Sequence, residues 1–289
     1  MTDFTSSATS LRAGVMGWPI SHSLSPVLHG HWLQRYGISG SYEAIPVRPE
    51  ELPAALERLR KEGYRGINLT VPHKEAAMAL VDEIDDTARR IGAVNTLVLQ
   101  DDGRLTGTNT DAYGLIENIR AAVPDALDTR FGGRPVVILG AGGAARAALV
   151  GLADCGISEI RIVNRTRALA EALAELIDDP EINIQAMDWG DAAAALEGAG
   201  LLVNTTVLGM TGQAPLALAL AALPADAVVN DIVYAPLETE LLAAAHARGN
   251  PGVDGLGMLL HQARAGFRAW FGVDPVVDDE LRNAVLAAR

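Results

Sequence analysis

"VVILGAGGAARAALVGLADCG", Val136 to Gly156, decides the fold class. Its apolar start, without alternation, reads as a strand covered on both faces, and the alanine-rich run that follows reads as a helix. The glycines between them form a turn with the spacing G-x-G-x-x-A at Gly140, Gly142 and Ala145. After a buried strand and before a helix, that spacing points to dinucleotide binding. Gly140 permits the tight bend, and Gly142 lets backbone approach a pyrophosphate beside the free N–H groups of the helix start. Small Ala145 lets helix and strand pack closely.

The next strand, "EIRIVNRT", sharpens the cofactor expectation. An NAD site puts Asp or Glu at this strand's end to bind the ribose 2′-hydroxyl. Here the end reads Asn164, Arg165, Thr166. A guanidinium offers planar donors suited to a 2′-phosphate, so NADP is expected. Thr166 is available to cap the helix "ALAEALAELI". "INIQAM", "LLVNTT" and "AVVNDIVY" complete the strands of this half.

Toward the N-terminus the chain also alternates strand and helix. "LRAGVMGW", "SYEAIPV", "GINLTV" and "AVNTLVLQ" read as strands, and "DDGRL" as a hairpin turn leading into "TGTNTD". Helices are expected over Ser25–Tyr36, Glu50–Lys61, Pro72–Ile91 with a break near Asp85, and Asp111–Val123. The expected architecture is α/β in two domains. Residues 1–110, completed by helices in 257–289, form an N-terminal α/β domain, and residues 111–256 a Rossmann-type, doubly wound parallel-sheet domain.

Composition narrows the function classes. The 289-residue chain is 49% hydrophobic, enough for real cores. With 23 Lys plus Arg against 36 Asp plus Glu its net charge is −13, which repels phosphate backbones and anionic lipid. Nucleic acid and membrane are therefore not expected partners. The first ten residues carry no secretion signal, no apolar run spans a bilayer, and the single cysteine, Cys155, fits a reducing compartment. A cytoplasmic protein is expected, with Cys155 a packing residue and no metal site.

"GWPISHSLSPVLHG", Gly17 to Gly30, has more hydroxyls than a capped turn needs. Ser25-Pro26 reads as an N-cap and first helical residue, and Ser23 beside a helix N-terminus suits a carboxylate. In "NLTVPHKEAA" Thr70 ends a strand, Pro72 starts a helix, and Lys74 sits in its first turn, where a cation is electrostatically misplaced. "GAVNT" and "GTNTDAYG" place Asn95 and Asp111 at strand ends, where ligands of such sheets lie.

These motifs, with "GAGGAARA", "NRT", "NTT", "DIVYAPLETELL" and "DGLGMLLHQA", make the chain resemble the shikimate dehydrogenases of the AroE type from about Val15 to Trp270. The resemblance implies NADP-dependent, reversible reduction of 3-dehydroshikimate to shikimate, a step of aromatic amino acid biosynthesis. By resemblance, Ser23 and Ser25 bind the substrate carboxylate with Tyr234 nearby. Thr70, Lys74, Asn95, Asp111 and Gln262 hold the ring hydroxyls, and Lys74 and Asp111 are the catalytic pair. Gly140, Ala141, Gly142, Gly143, Ala144, Asn164, Arg165 and Thr166 hold NADP, joined on the nicotinamide side by Thr205, Ile232, Gly255 and Met258. Two positions depart from the family pattern: Gly30 stands for a frequent Asn, and Ala112 for a frequent Gly. The competing readings are a quinate/shikimate dehydrogenase using NAD, an aminoshikimate dehydrogenase, and a non-catalytic NADP sensor, for which Lys74 and Asp111 would be superfluous. A homodimer is left open.

Overall fold

The computed structural model describes residues 10–124, 127 and 133–289. The chain divides into two compact units, one of residues up to Thr110 with Ala263–Arg289, the other of Asp111–Gln262. The division falls within α10 (Gly255–Phe271), so residues 257–262 go with the second unit rather than the first.

In the first unit a 6-stranded mixed sheet has the order β2-β1-β3-β5-β6-β4. Its strands are β1 (Leu11–Gly17), β2 (Gly40–Pro46), β3 (Gly66–Leu69), β4 (Glu83–Ile84), β5 (Thr96–Leu99) and β6 (Leu105–Thr108). β1 runs parallel to β2 and β3, while β5 is antiparallel to both β3 and β6. The carboxyl ends of β1, β3 and β6 and the amino end of β5 therefore share one edge. The expected hairpin at "DDGRL" is the β5–β6 pair.

The stretch 72–91 is not one broken helix. It holds a four-residue helix α3 (His73–Ala76), a 3-10 turn, strand β4 and helix α4 (Asp86–Ile91). Pairing of β4 with β6 overrides local helical preference: the Asp82 and Asp85 N–H groups donate to Leu105 and Gly107 carbonyls at 3.0 Å each. Asp85 then caps α4, accepting from the Ala88 N–H at 2.7 Å. Pro72 precedes α3 instead of starting it, because His73 N–H closes a turn on the Thr70 carbonyl at 2.8 Å.

A cluster of rings joins α1 (Ser25–Arg35) to the C-terminal segment within this unit. Trp32 and Phe267 are fully buried, with centroids 5.2 Å apart, and Trp270 donates to the Leu97 carbonyl at 2.9 Å. Burying a side chain such as Phe267 contributes about 2–3 kcal/mol. Gly66 is obligatory beneath Trp270: a Cβ there would lie 2.1 Å from the indole nitrogen.

The second unit is built on a 6-stranded, wholly parallel sheet of order β12-β11-β10-β7-β8-β9. Its strands are β7 (Val136–Leu139), β8 (Glu159–Asn164), β9 (Asn183–Asp188), β10 (Leu201–Asn204), β11 (Val228–Asp231) and β12 (Gly252–Val253). This is the doubly wound order with its switch point between β7 and β10. All four residues of β7 are buried: Val136 and Ile138 enter one core, Val137 and Leu139 the other. That is why the strand reads as an unbroken apolar run.

Candidate active site

In the first unit the expected ligand residues gather at the shared sheet edge. The loops after β1 and β3 are tied where Trp18 N–H donates to the Val71 carbonyl at 3.1 Å. Gly17 permits this approach, since a Cβ would stand 2.5 Å from Thr70 Cγ2. Thr70 itself is anchored by its N–H on the Met16 carbonyl at 2.9 Å. The Lys74 carbonyl accepts from Val94 N–H at 2.9 Å, which sets Lys74 beside Asn95. Asn95 is buried; its amide donates to Thr110 Oγ1 at 3.0 Å and its Oδ1 accepts from Thr110 N–H at 2.9 Å. Asp111, the first residue of α5 (Asp111–Ala122), is the next residue in the chain.

Two local expectations need correction. Ser25 does not cap α1: Leu24 holds the cap position, Ser25 is the first helical residue, and no side chain caps the helix. Ser23 Oγ accepts from the Ser25 N–H at 3.3 Å, beside that helix start. Likewise α3 has only four residues, so its dipole is too small to make Lys74 electrostatically misplaced. What marks Lys74 is the bond its carbonyl accepts from the N–H of Val94, the residue before Asn95.

A polar network behind this edge was not assigned from sequence. The Tyr42 hydroxyl donates to Asn68 Oδ1 at 2.6 Å, and Asn68 Nδ2 donates to Thr96 Oγ1 at 3.0 Å and to the Asn95 carbonyl at 3.2 Å. Thr96 Oγ1 then donates to Asn95 Oδ1 at 2.9 Å. Burial pushes the Tyr42 phenol well above its ordinary range, so it stays a donor. The sequence signal was an asparagine inside the otherwise apolar strand β3; Tyr42 stands between Ser41 and Glu43 and gave none. His29, stacked on Tyr42 with centroids 3.9 Å apart, is fully buried, and neither ring nitrogen has a hydrogen-bond partner among the described residues. Burial holds its pKa down at about 3.

In the second unit Gly140 has φ +104 and donates its N–H to the Val163 carbonyl at 2.8 Å. Only glycine adopts that backbone freely, and a Cβ would also stand 2.8 Å from Thr205 Oγ1. Gly142 and Gly143 are exposed, and a Cβ on either would meet nothing within 4 Å. They open α6 (Gly143–Asp154), which has no side-chain cap and no acidic residue in its first turn. Ala145 is fully buried. A cradle of this kind fits a pyrophosphate held by backbone N–H groups.

Asn164 Nδ2 donates to the Thr166 carbonyl at 2.9 Å. Thr166 occupies the cap position of α7 (Arg167–Ala174) without a capping hydrogen bond, contrary to expectation. Arg165 is exposed and makes no hydrogen bond or ion pair among the described residues, whereas Arg167 is held by Glu171 at 2.8 Å and Asp188 at 3.3 Å. An uncommitted guanidinium at the end of β8 fits the 2′-phosphate of NADP.

Thr205 follows β10, and its hydroxyl donates to the Leu139 carbonyl at 2.6 Å, beside Gly140. Ile232 and Tyr234 follow β11 and are half-buried. Gly255 opens α10 against them: a Cβ there would be 2.0 Å from the Ile232 carbonyl oxygen. Met258 and Gln262 lie further along this helix, half-buried, with Gln262 Nε2 donating to the Leu259 carbonyl at 3.1 Å. The turns around Thr205 and Ile232 are joined through a fully buried carboxylate, Asp231, which the sequence reading did not assign. Burial pushes its carboxyl up, against the pull of bonds from Thr239, Val233 N–H and Asn204. Cys155 closes α6 half-buried, with the Arg120 guanidinium 3.8 Å from its sulfur.

Comparison with known proteins settles the family. Residues 15–97 match the shikimate dehydrogenase substrate binding domain, 125–207 the shikimate/quinate 5-dehydrogenase model, and 255–279 the shikimate 5′-dehydrogenase C-terminal domain. A shikimate dehydrogenase (NADP(+)) of Paramagnetospirillum magneticum is 57% identical over 275 residues, covering 95% of this chain and 98% of that one. This chain belongs to the shikimate dehydrogenase family.

Among solved structures, a shikimate 5-dehydrogenase of Thermus thermophilus in complex with NADP(H) and shikimate superimposes with TM-score 0.83 at 40% identity, covering 96% of this chain and 100% of that one. A quinate dehydrogenase of Corynebacterium glutamicum in complex with NAD gives TM-score 0.88 at 31% identity, covering 96% and 99%. Fold alone thus does not separate the cofactors in this shikimate dehydrogenase family. In this fold NAD and NADP sites are told apart by the residues at the end of the second strand, here β8. No helix among the described residues is long and apolar enough to cross a membrane.

Proposed function

We propose that this chain is an NADP-dependent shikimate dehydrogenase, interconverting 3-dehydroshikimate and shikimate in a cytoplasmic setting. The observation that carries the reading is the hydrogen-bonded run from Lys74 through Val94 and Asn95 to Thr110, one residue short of Asp111.

Ser23 and Ser25, at the uncapped start of α1, receive the substrate carboxylate, with Tyr234 contributing. Thr70, Lys74, Asn95, Asp111 and Gln262 orient the ring hydroxyls and the reacting carbonyl. Gly140, Ala141, Gly142, Gly143 and Ala144 hold the pyrophosphate, and Asn164, Arg165 and Thr166 the phosphorylated ribose. Thr205, Ile232, Gly255 and Met258 line the place of the nicotinamide. The bound cofactor supplies the hydride to the carbonyl carbon.

The chain's own task is orientation and one proton. Lys74 Nζ gives a proton to the carbonyl oxygen as the C=O bond becomes CH–OH; in the oxidation direction the neutral amine takes that proton back. Asp111, next to Thr110, accepts a hydrogen bond from the ring hydroxyl and holds the substrate in register with Lys74. Holding the reacting atoms in this geometry is a major part of catalysis in such a site.

The test is a matrix of steady-state rates with shikimate and quinate, each with NADP and NAD. Turnover should be greatest for shikimate with NADP. Preference for quinate with NAD would favour the alternative family activity, and no turnover of either acid would favour a sensor.

A further inference from the structure

Asp231 is a buried charge with no ion-pair partner among the described residues, and none of the binding roles above uses it. For stability alone an uncharged side chain would be cheaper there. The bonds it makes indicate what the charge does. Its Oδ1 accepts from Asn204 Nδ2 at 2.9 Å and Val233 N–H at 3.0 Å, and its Oδ2 accepts from Thr239 Oγ1 at 2.7 Å. As arranged, all three partners donate, which an acceptor-only carboxylate satisfies without rotating any of them.

Each bond reaches a different segment. Asn204, held through its Nδ2, turns its Oδ1 to the Thr206 N–H at 3.0 Å and the Thr206 hydroxyl at 2.8 Å, which folds the turn after β10. Thr205 lies inside that turn. The Val233 bond folds the turn after β11 around Ile232, whose N–H donates to the Asn204 carbonyl at 3.1 Å. Thr239 caps α9 (Glu240–Ala247), accepting from Leu242 N–H at 3.3 Å, and so ties that helix to the same carboxylate. In a sheet whose switch point lies between β7 and β10, the pyrophosphate sits on the turn after β7 and one mononucleotide extends over β8. The other extends over β10 and β11.

We propose that Asp231 is a positioning residue for the nicotinamide half of the cofactor, clamping the turns that carry Thr205 and Ile232 through Asn204, Val233 and Thr239. This rests on the dinucleotide reading above. Losing the clamp frees those turns; none of its three bonds reaches Gly142, Gly143 or Arg165, and the Thr205 hydroxyl keeps its own bond to the Leu139 carbonyl.

The experiment uses the full chain and the variants Asp231→Asn, Thr239→Val and Thr239→Ser. Calorimetric titration measures affinity for NADPH and for adenosine 2′,5′-bisphosphate, which lacks the nicotinamide half, beside steady-state turnover. Asp231→Asn should leave bisphosphate affinity within about twofold of wild type. It should lower kcat on the order of 10- to 100-fold with weaker NADPH binding, the scale expected when a reacting group is misplaced. Thr239→Val should follow the same pattern, and Thr239→Ser, which keeps the hydroxyl, should restore it. Equal weakening of both ligands, unchanged turnover, or serine behaving as valine would overturn the proposal. If Asp231→Asn does not fold, the Thr239 pair carries the decision. A wild type that binds neither ligand would overturn the dinucleotide reading itself, and this proposal with it.

Discussion

His29→Phe tests whether the core of the first unit holds a neutral imidazole without hydrogen bonds. The ring is fully buried among Tyr42, Trp32, Phe267 and Trp270, with centroid distances of 3.9, 5.7, 5.8 and 5.8 Å. Burial lowers its pKa from 6.5 to about 3. Below the unfolded value the unfolded chain binds a proton that the folded state refuses. Stability is therefore intact above about pH 6.5 and lost as pH falls toward 3. The loss is RT ln(1 + 10^(6.5 − pH)), negligible at pH 7.5 and roughly 2 kcal/mol at pH 5. Phenylalanine has no such proton, so the difference between variant and wild type should grow by about 2 kcal/mol between those two pH values. At pH 7.5 the variant should already equal or exceed wild type, because two unsatisfied buried nitrogens are gone.

The assay is urea unfolding followed by tryptophan fluorescence, since Trp18, Trp32 and Trp270 of the 4 tryptophans belong to this unit. With a slope of roughly 2–3 kcal/mol per molar, the gap in midpoints should widen by about 0.7–1 M on acidification. Other titrating groups are common to both proteins and cancel in the difference. A gap that stays constant with pH, or a His29 NMR signal titrating near 6.5 in the folded protein, would refute the argument.

Lys74→Ala should lower kcat by about 10²-fold or more with a smaller change in KM, the usual contribution of acid–base catalysis; unchanged kcat removes Lys74 from the chemistry. Arg165→Ala should weaken NADP binding far more than NAD binding in paired titrations, and equal losses would place 2′-phosphate recognition elsewhere. Tyr42→Phe should cost about 1–3 kcal/mol in urea unfolding, because it leaves Asn68 Oδ1 buried without its 2.6 Å donor. A neutral result there would mean that water or another donor reaches Asn68.

Periodicity and punctuation made much of this protein legible from the chain alone. The apolar run Val136–Leu139, the positive-φ Gly140 and small Ala145 are local requirements of a strand–turn–helix, so spacing was enough to see them. The same holds for the place of Arg165, just past the end of β8. The stretch 72–91 failed locally because β4 exists only through its pairing with β6, a partner more than 20 residues away. Ser25 read as a cap because Ser-Pro is a sound local signal, but the backbone of Leu24 takes that position.

The buried polar groups were hidden for a related reason. Asn68, Asn204 and Asp231 look like interruptions of apolar strands, and Tyr42 like one more residue of a polar edge strand, until the strands are set side by side and donors meet acceptors. Hydrophobic spacing repeats along a chain and can be counted there. A hydrogen bond between residues 27 positions apart, such as Asn204 to Asp231, is decided by which strands become neighbours. Residue type and periodicity thus determined the doubly wound core and its glycine turn, while sheet order alone decided which buried side chains tie the turns after β10 and β11 together.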